Sequence, residues 1–197
     1  SWLYFLTYQN KDMLGLNDLK LGRVISINDE PYQVVWNQHI KVARGGAVMK
    51  TKLKNLISGS TLEKSFNGSD NIAEADITRR KANFLYQQED GFHFMDNERF
   101  EQFQFSKDDL GDLVKYLMDG QEVDVLVFND SPVSIALPTK ITLEVKSAPD
   151  GVKGNSSGAV TKTVVLENEL EIRTPLFIKS GDKVIVNTET GEYVERV

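Results

Sequence analysis

Apolar positions along the 197-residue chain recur mostly at period two, the spacing of a strand with one buried face. Residues 23–27 and 32–36 are short β-rich runs on either side of Asn28-Asp29-Glu30-Pro31, a cluster with turn chemistry, and they read as a hairpin. A second hairpin follows, with its tip at Gly45-Gly46. Its returning strand alternates, so that Lys50 and Lys52 face away from Met49, Thr51 and Leu53. Residues 61–66 and 72–77 supply further strands and complete a small barrel over 13–78. Residues 83–87, 91–95 and 100–105 continue at strand length. The exception is 106–119, where Leu110, Leu113, Val114, Leu117 and Met118 fall at helical spacing. Ser106 is placed as N-cap, Asp108 and Asp109 in the first turn, and Gly120 at the C-terminal end. Strands resume at 122–128, 133–137 and 141–146. After the loop-like stretches 149–151 and 154–158 come further strands at 163–166, 170–173, 183–187 and 193–197. With no alternation of strands and helices, the pattern predicts an all-β chain of small SH3-like or OB-like barrels, whose closure removes sheet edges.

Composition narrows the picture. Ten Phe, six Tyr and two Trp within a 40% apolar, 26% charged chain can anchor cores, which excludes wholesale disorder. The length admits one large domain or two to three small ones. The absence of cysteine excludes disulfides, thiolate zinc sites, iron–sulfur clusters and cysteine nucleophiles, and fits a reducing compartment. Two histidines leave little for metal chemistry, and no cofactor is expected. No apolar run approaches the roughly 20 residues needed to span a bilayer, so a soluble, cytoplasmic chain without a membrane partner is expected. The apolar opening at 2–6 has no basic residue before it and no cleavage site after it. Residues 1–12 are therefore read as an N-terminal tail or vector-derived residues, with Met13 as a candidate natural start.

The charge is unevenly distributed. The chain carries 23 basic and 29 acidic residues, a net −6, which argues against a non-specific nucleic-acid coat. Yet residues 40–64 hold Lys41, Arg44, Lys50, Lys52, Lys54 and Lys64 against the single acid Glu63, whereas residues 79–143 hold seven basic and twelve acidic residues. This is a local anion-seeking patch on an acidic body, suited to oriented docking on a polyanion. Catalytic constellations do not appear: there is no phosphate-cradling glycine loop ending in Lys-Ser/Thr, no Gly-x-Ser-x-Gly elbow and no dinucleotide fingerprint. His39 and His93 are isolated, and Asp108-Asp109 fits helix-terminal charge better than an acid–base couple. An enzyme is not expected. Arg44 stands out because a guanidinium stays charged, presents a planar fork of donors and stacks on bases, while Gly45 and Gly46 permit a tight turn. The same tripeptide also reads as an ordinary turn with an exposed arginine.

From about Asn17 to Val197 the chain resembles bacterial elongation factor P. The resemblance is carried by Leu21-Gly22, the turn from Asn28 to Tyr32, the hairpin around Arg44, Lys50-Thr51-Lys52-Leu53-Lys54-Asn55-Leu56 with Gly59, Phe94-Met95-Asp96, Gly154-Asn155-Ser156, and the ending Thr188-Glu189-Thr190-Gly191-Glu192-Tyr193-Val194-Glu195-Arg196-Val197. Lys162, Pro175, Phe177 and Gly181 fit the family's C-terminal pattern. Val164 stands where Ala is usual, Glu169 where Gly is usual, and Thr174 where Val precedes the Pro. The resemblance implies three β domains in an L shape: an SH3/KOW-like domain over 13–78, an OB-like domain with one short helix over 79–143, and a C-terminal OB-like domain over 144–197. It implies a monomer that binds both ribosomal subunits beside peptidyl-tRNA, between the peptidyl and exit tRNA sites, and relieves stalling at consecutive prolines.

By the same resemblance, Arg44 contacts peptidyl-tRNA, Lys41, Lys50, Lys52 and Lys54 contact RNA backbone, and Gly154, Asn155 and Ser156 form a recognition loop facing the small subunit. Many family members carry a tip lysine extended by a β-lysyl group. A guanidinium lacks the ε-amine for that chemistry, so the tip is similar to the arginine branch modified by a rhamnosyl-transferring enzyme. Thr78-Arg79-Arg80 is similar to the elongation factor P-like paralogue, which also has an arginine tip. From another class, a non-ribosomal OB-type RNA-binding module would show an aromatic stacking stripe, for which Phe84, Tyr86, Phe92 and Phe94 are candidates. A purely structural interaction protein would leave the basic hairpin incidental.

Overall fold

The computed structural model describes residues 13–42, 46–149 and 160–197, and among them the chain is all-β, with three sheets and one short helix. The first sheet contains β1 (Met13–Leu14), β2 (Val24–Ile27), β3 (Glu30–Val42), β4 (Gly46–Asn55), β5 (Thr61–Asn67) and β6 (Ile72–Glu74), in the order β1-β6-β2-β3-β4-β5. Asn28 and Asp29, both at left-handed φ (52° and 61°), join β2 to β3. Asn and Asp tolerate this conformation, and the right-handed strand twist favours it at a two-residue hairpin turn. Leu19, Ile25, Val34, Met49, Leu53, Phe66 and Ile72 form the core. Strand β3 runs well past the apolar stretch at 32–36, because its polar continuation is held by the ladder to β4, from Tyr32↔Asn55 to Val42↔Gly46, rather than by side-chain burial.

The second sheet contains β7 (Thr78–Gln88), β8 (Gly91–Asp96), β9 (Gln102–Ser106), β10 (Glu122–Phe128) and β11 (Ser131–Ala136), in the order β11-β10-β7-β8-β9. The third contains β12 (Lys140–Ser147), β13 (Thr161–Leu166), β14 (Glu171–Pro175), β15 (Lys183–Asn187) and β16 (Tyr193–Arg196), in the order β14-β13-β12-β15-β16. The topology is the same in both: the first strand is central, the next two lie on one side and the last two on the other. The described residues group into two compact units, one drawn from 13–80 with 125–135 and the other from 81–124 with 136–197.

One local structure recurs in all three sheets and has no obvious counterpart in the residue pattern. Asn55, Asp96 and Asn187 each end a strand, and each side-chain Oδ1 accepts the N–H groups two and three residues on, at 2.8–3.2 Å. In each, the residue four positions on, Gly59, Phe100 or Gly191, donates its N–H back to the carbonyl of that first residue, at 2.8–2.9 Å, and adopts a left-handed φ of 74°, 57° or 73°. Phe100 takes a conformation that glycine fills in the other two, and it is 77% exposed.

The helix is shorter than its apolar spacing suggests. Ser106 is the N-cap: its Oγ accepts from Asp109 N–H at 3.1 Å, and Asp109 Oδ2 accepts from Ser106 N–H at 2.8 Å. However, α1 covers only Lys107–Leu110 and ends at Gly111, whose φ of 57° leaves the helical region. A 3-10 turn then continues over Gly111–Tyr116, and Leu117 is extended. The C-terminal glycine is therefore Gly111 rather than Gly120. Of the 3-10 turn, Tyr116 is the residue that is buried, and it packs into the third core with Leu143, Val145, Val164, Leu166, Ile172, Ile178, Val184 and Val186.

The structure gives physical content to the three departures in the C-terminal pattern. Val164 is fully buried in the third core, where its larger side chain is accommodated. Glu169 has a φ of 64°, the region that favours glycine, and its carboxylate pairs with Lys146 Nζ. Thr174 is buried at 1% exposure, and its Oγ1 has no hydrogen-bond partner. An unsatisfied buried hydroxyl costs about 1–3 kcal/mol, and valine is nearly isosteric with threonine. Thr174→Val should therefore raise the melting temperature, by about 2–4 °C for each kcal/mol regained at this chain length. Calorimetry checks this: a lower melting temperature would mean that the hydroxyl is contributing stability.

Candidate nucleic-acid interface

The β3–β4 hairpin carries the basic residues, and its register determines which way they point. Directly opposed residues of an antiparallel pair share a face. Met49, Thr51, Leu53 and Asn55 alternate inward and are buried, while Lys50 and Lys52 face solvent. Lys54, half-buried, lies on the same face as Lys50 and Lys52, so these three amines follow one another at about 7 Å intervals along the strand. Lys52 Nζ lies 3.4 Å from Glu63 Oε1 in an exposed pair, which holds the amine only weakly.

Lys41 is exposed but pairs with Ala47, on the same face as the His39↔Met49 and Asn37↔Thr51 pairs. The structure thus splits the four lysines into three on the solvent face and one on the continuation of the core face, near the tip. Gly46, with a φ of 81°, begins β4 in a conformation that a side chain would strain. Arg44 and Gly45 lie outside the described residues, as do Gly154, Asn155 and Ser156.

A β-bulge between Val34 and Trp36 changes the face that the strand presents. Val34 is buried opposite Leu53, and uninterrupted alternation would turn Trp36 inward as well. Instead Trp36 opposes Lys52 on the solvent face and is 42% exposed, beside Val35 at 43%. Hydrophobic periodicity cannot reveal this, because an apolar residue two positions from a buried one reads as core. Beyond the bulge, Asn37 Nδ2 donates to Leu19 O at 2.6 Å and ties the inward face to the preceding loop.

The aromatic residues of the second sheet are mostly core. Phe84, Phe92 and Phe94 are buried, with the Phe84 and Phe94 ring centroids 5.3 Å apart. Of the four candidate stacking residues, Tyr86 alone is substantially exposed, and its ring stacks on His93 at 4.7 Å. The outward aromatic stripe expected of a free-standing RNA-binding OB module is therefore absent at three of its four positions. Among the described residues, no group of three or more His, Cys, Asp or Glu side chains could hold a metal ion, and no helix is long and apolar enough to cross a membrane.

Comparison with known proteins covers nearly the whole chain. Residues 16–72 match the elongation factor P KOW-like domain, residues 77–135 the elongation factor P OB domain, and residues 141–196 the elongation factor P C-terminal domain. The chain is 41% identical over 184 residues to elongation factor P of Dictyoglomus turgidum, covering 93% of this chain and all of that protein. It is 40% identical over 185 residues to elongation factor P of Desulfotalea psychrophila, covering 94% and 99%. With three consecutive domain matches on an all-β chain, and identity at this level from end to end of its relatives, the protein belongs to the elongation factor P family of translation elongation factors.

Proposed function

We propose that this protein binds the ribosome beside peptidyl-tRNA and promotes peptide-bond formation at consecutive prolines. The observation that supports this reading is the long β3–β4 hairpin of an elongation factor P-family chain, with Lys50, Lys52 and Lys54 along one face and the Arg44-Gly45-Gly46 sequence at its turn. Proline is a poor peptidyl donor and acceptor. A factor without a catalytic group of its own can help by holding the peptidyl-tRNA end in a reactive arrangement, and orientation alone accounts for several kcal/mol of a barrier. Arg44 supplies that hold through a planar fork able to contact terminal phosphates and bases. The lysines position the hairpin on backbone phosphates, an interaction that weakens as salt rises. A sugar placed on the Arg44 guanidinium by an arginine-modifying glycosyltransferase extends its reach.

In this reading the chain acts as a cytoplasmic monomer with domains over 13–78, 79–143 and 144–197. The shared name of its curated relatives favours the factor itself over the elongation factor P-like paralogue. The test is toeprinting of a Pro-Pro-Pro message in a reconstituted translation system. Added protein should clear the stall at the proline codons, and a persistent stall would refute the reading.

The recognition loop Gly154-Asn155-Ser156 is assigned to small-subunit and exit-site codon contact. Asn155 offers both an acceptor and amide donors to base edges. Replacing Asn155 and Ser156 together by Ala should reduce stall relief several-fold while leaving the melting curve unchanged. Full activity of the double variant would remove the loop from the interface.

A further inference from the structure

The bulge in β3 exposes an indole that regular alternation would bury. Trp36 opposes Lys52, with Val35 the extra residue of the bulge, so the indole stands on the face that also carries Lys50, which is opposite Gln38. Large apolar side chains on a strand normally contribute by burial, so an outward Trp beside an outward Val calls for an explanation.

The surroundings indicate what could cover it. Directly opposed side chains in a sheet have Cβ atoms about 5 Å apart, so the Lys52 amine can reach either edge of the ring, and Lys50 follows about 7 Å further along β4. A flat π surface flanked by amines at that spacing complements a nucleotide strand, with the base on the ring and the phosphates on the amines. The acid that pairs with Lys52, Glu63, is itself exposed, and such a pair exchanges readily for a phosphate. A duplex cannot use the ring, because its bases are already covered by their neighbours. Only an unpaired nucleotide offers a free face.

We propose that Trp36 is a stacking platform for an unpaired ribonucleotide whose flanking phosphates are held by Lys50 and Lys52. This rests on the hairpin being an RNA-facing surface. It adds to that reading a base contact and a preference for single-stranded over duplex RNA, which lysines alone do not confer.

The chain has two tryptophans, Trp2 and Trp36, so Trp2→Phe leaves Trp36 as the sole indole reporter. This variant is titrated with a short unstructured oligouridylate and with a blunt RNA duplex of equal charge. The oligouridylate should quench Trp36 emission and the duplex should leave it nearly unchanged. Trp36→Ala should weaken oligouridylate binding by about five- to a hundredfold, measured by anisotropy of labelled RNA, with duplex binding altered by less than about twofold. Trp36→Phe, which keeps a ring, should recover much of the loss.

Equal quenching by both RNAs, no quenching by either, or unchanged oligouridylate affinity in Trp36→Ala would each overturn the proposal. Stall relief is read separately. Lost quenching with relief intact removes the Trp36 contact alone, whereas quenching without relief keeps that contact and removes the ribosomal role.

Discussion

Arg44→Ala is expected to abolish relief of Pro-Pro-Pro stalling, while leaving the melting temperature unchanged and ribosome binding only partly reduced. The dissociation of these effects follows from where the work is divided. In the proposed reading, binding to RNA backbone is spread over Lys41, Lys50, Lys52 and Lys54, which the variant retains. In that reading the orienting contact is concentrated in the single guanidinium of Arg44. Loss of a group that acts only by positioning reactants removes most of the acceleration and little of the affinity, because the orientation contribution is several kcal/mol of barrier rather than of binding. Arg44→Lys discriminates further. A lysine restores the charge but not the planar fork, and offers no guanidinium for glycosylation. It should therefore also fail, and restored relief would remove the requirement for a modified arginine. Full relief by Arg44→Ala would remove the positioning mechanism itself.

The largest stability effect is expected at Tyr116. Its ring is 4% exposed and sits among eight aliphatic residues of the third core, although it belongs to the turn that follows α1. Truncating a buried aromatic to alanine costs about 3–5 kcal/mol, so Tyr116→Ala should lower the melting temperature by roughly 10 °C. A shift of only a degree or two would mean that the core closes without it.

Burial also pushes the Tyr116 phenol above its ordinary value. Lys115 nearby opposes the shift and Asp112 adds to it. The charged form is the deprotonated one, so the stability that burial provides is complete below the unfolded-chain value of about 10 and is lost as pH rises through the higher folded value. Wild-type protein should therefore lose stability on the alkaline side of pH 10. Tyr116→Phe, which cannot ionise, should lack that component of the loss.

Much of the fold is legible in the sequence wherever a strand is half buried. The run at 91–96 alternates half-buried and buried residues as its composition suggests, and the alternation from Val48 to Leu53 correctly separates Lys50 and Lys52 from the core. Legibility fails where the backbone departs from regular geometry. The segment 106–119, with its stripe from Leu110 to Met118, suggests a helix more than three turns long, yet Gly111 adopts a left-handed φ after a single turn, and the anchoring residue Tyr116 lies off that stripe. The bulge at Val35 reverses the parity of β3, so that Trp36 faces outward and Lys41 faces away from the other lysines. Period-two reasoning from Val34 gives the opposite for both. The strand-ending turns at Asn55, Asp96 and Asn187 share only a side-chain oxygen and a left-handed residue four positions on, too little for a sequence repeat to register. At the candidate site, the charge pattern and the Arg44-Gly45-Gly46 sequence single out the hairpin, while the contact with peptidyl-tRNA proposed for Arg44 is what the family resemblance implies.

The most direct test of the central claim is the rate of a single peptide bond on purified ribosomes, Pro-Pro against Phe-Phe, with and without the native protein. The account predicts a marked acceleration of the Pro-Pro bond, little change for Phe-Phe, and loss of the effect in Arg44→Ala. An unchanged Pro-Pro rate, or equal acceleration of both bonds, would contradict it.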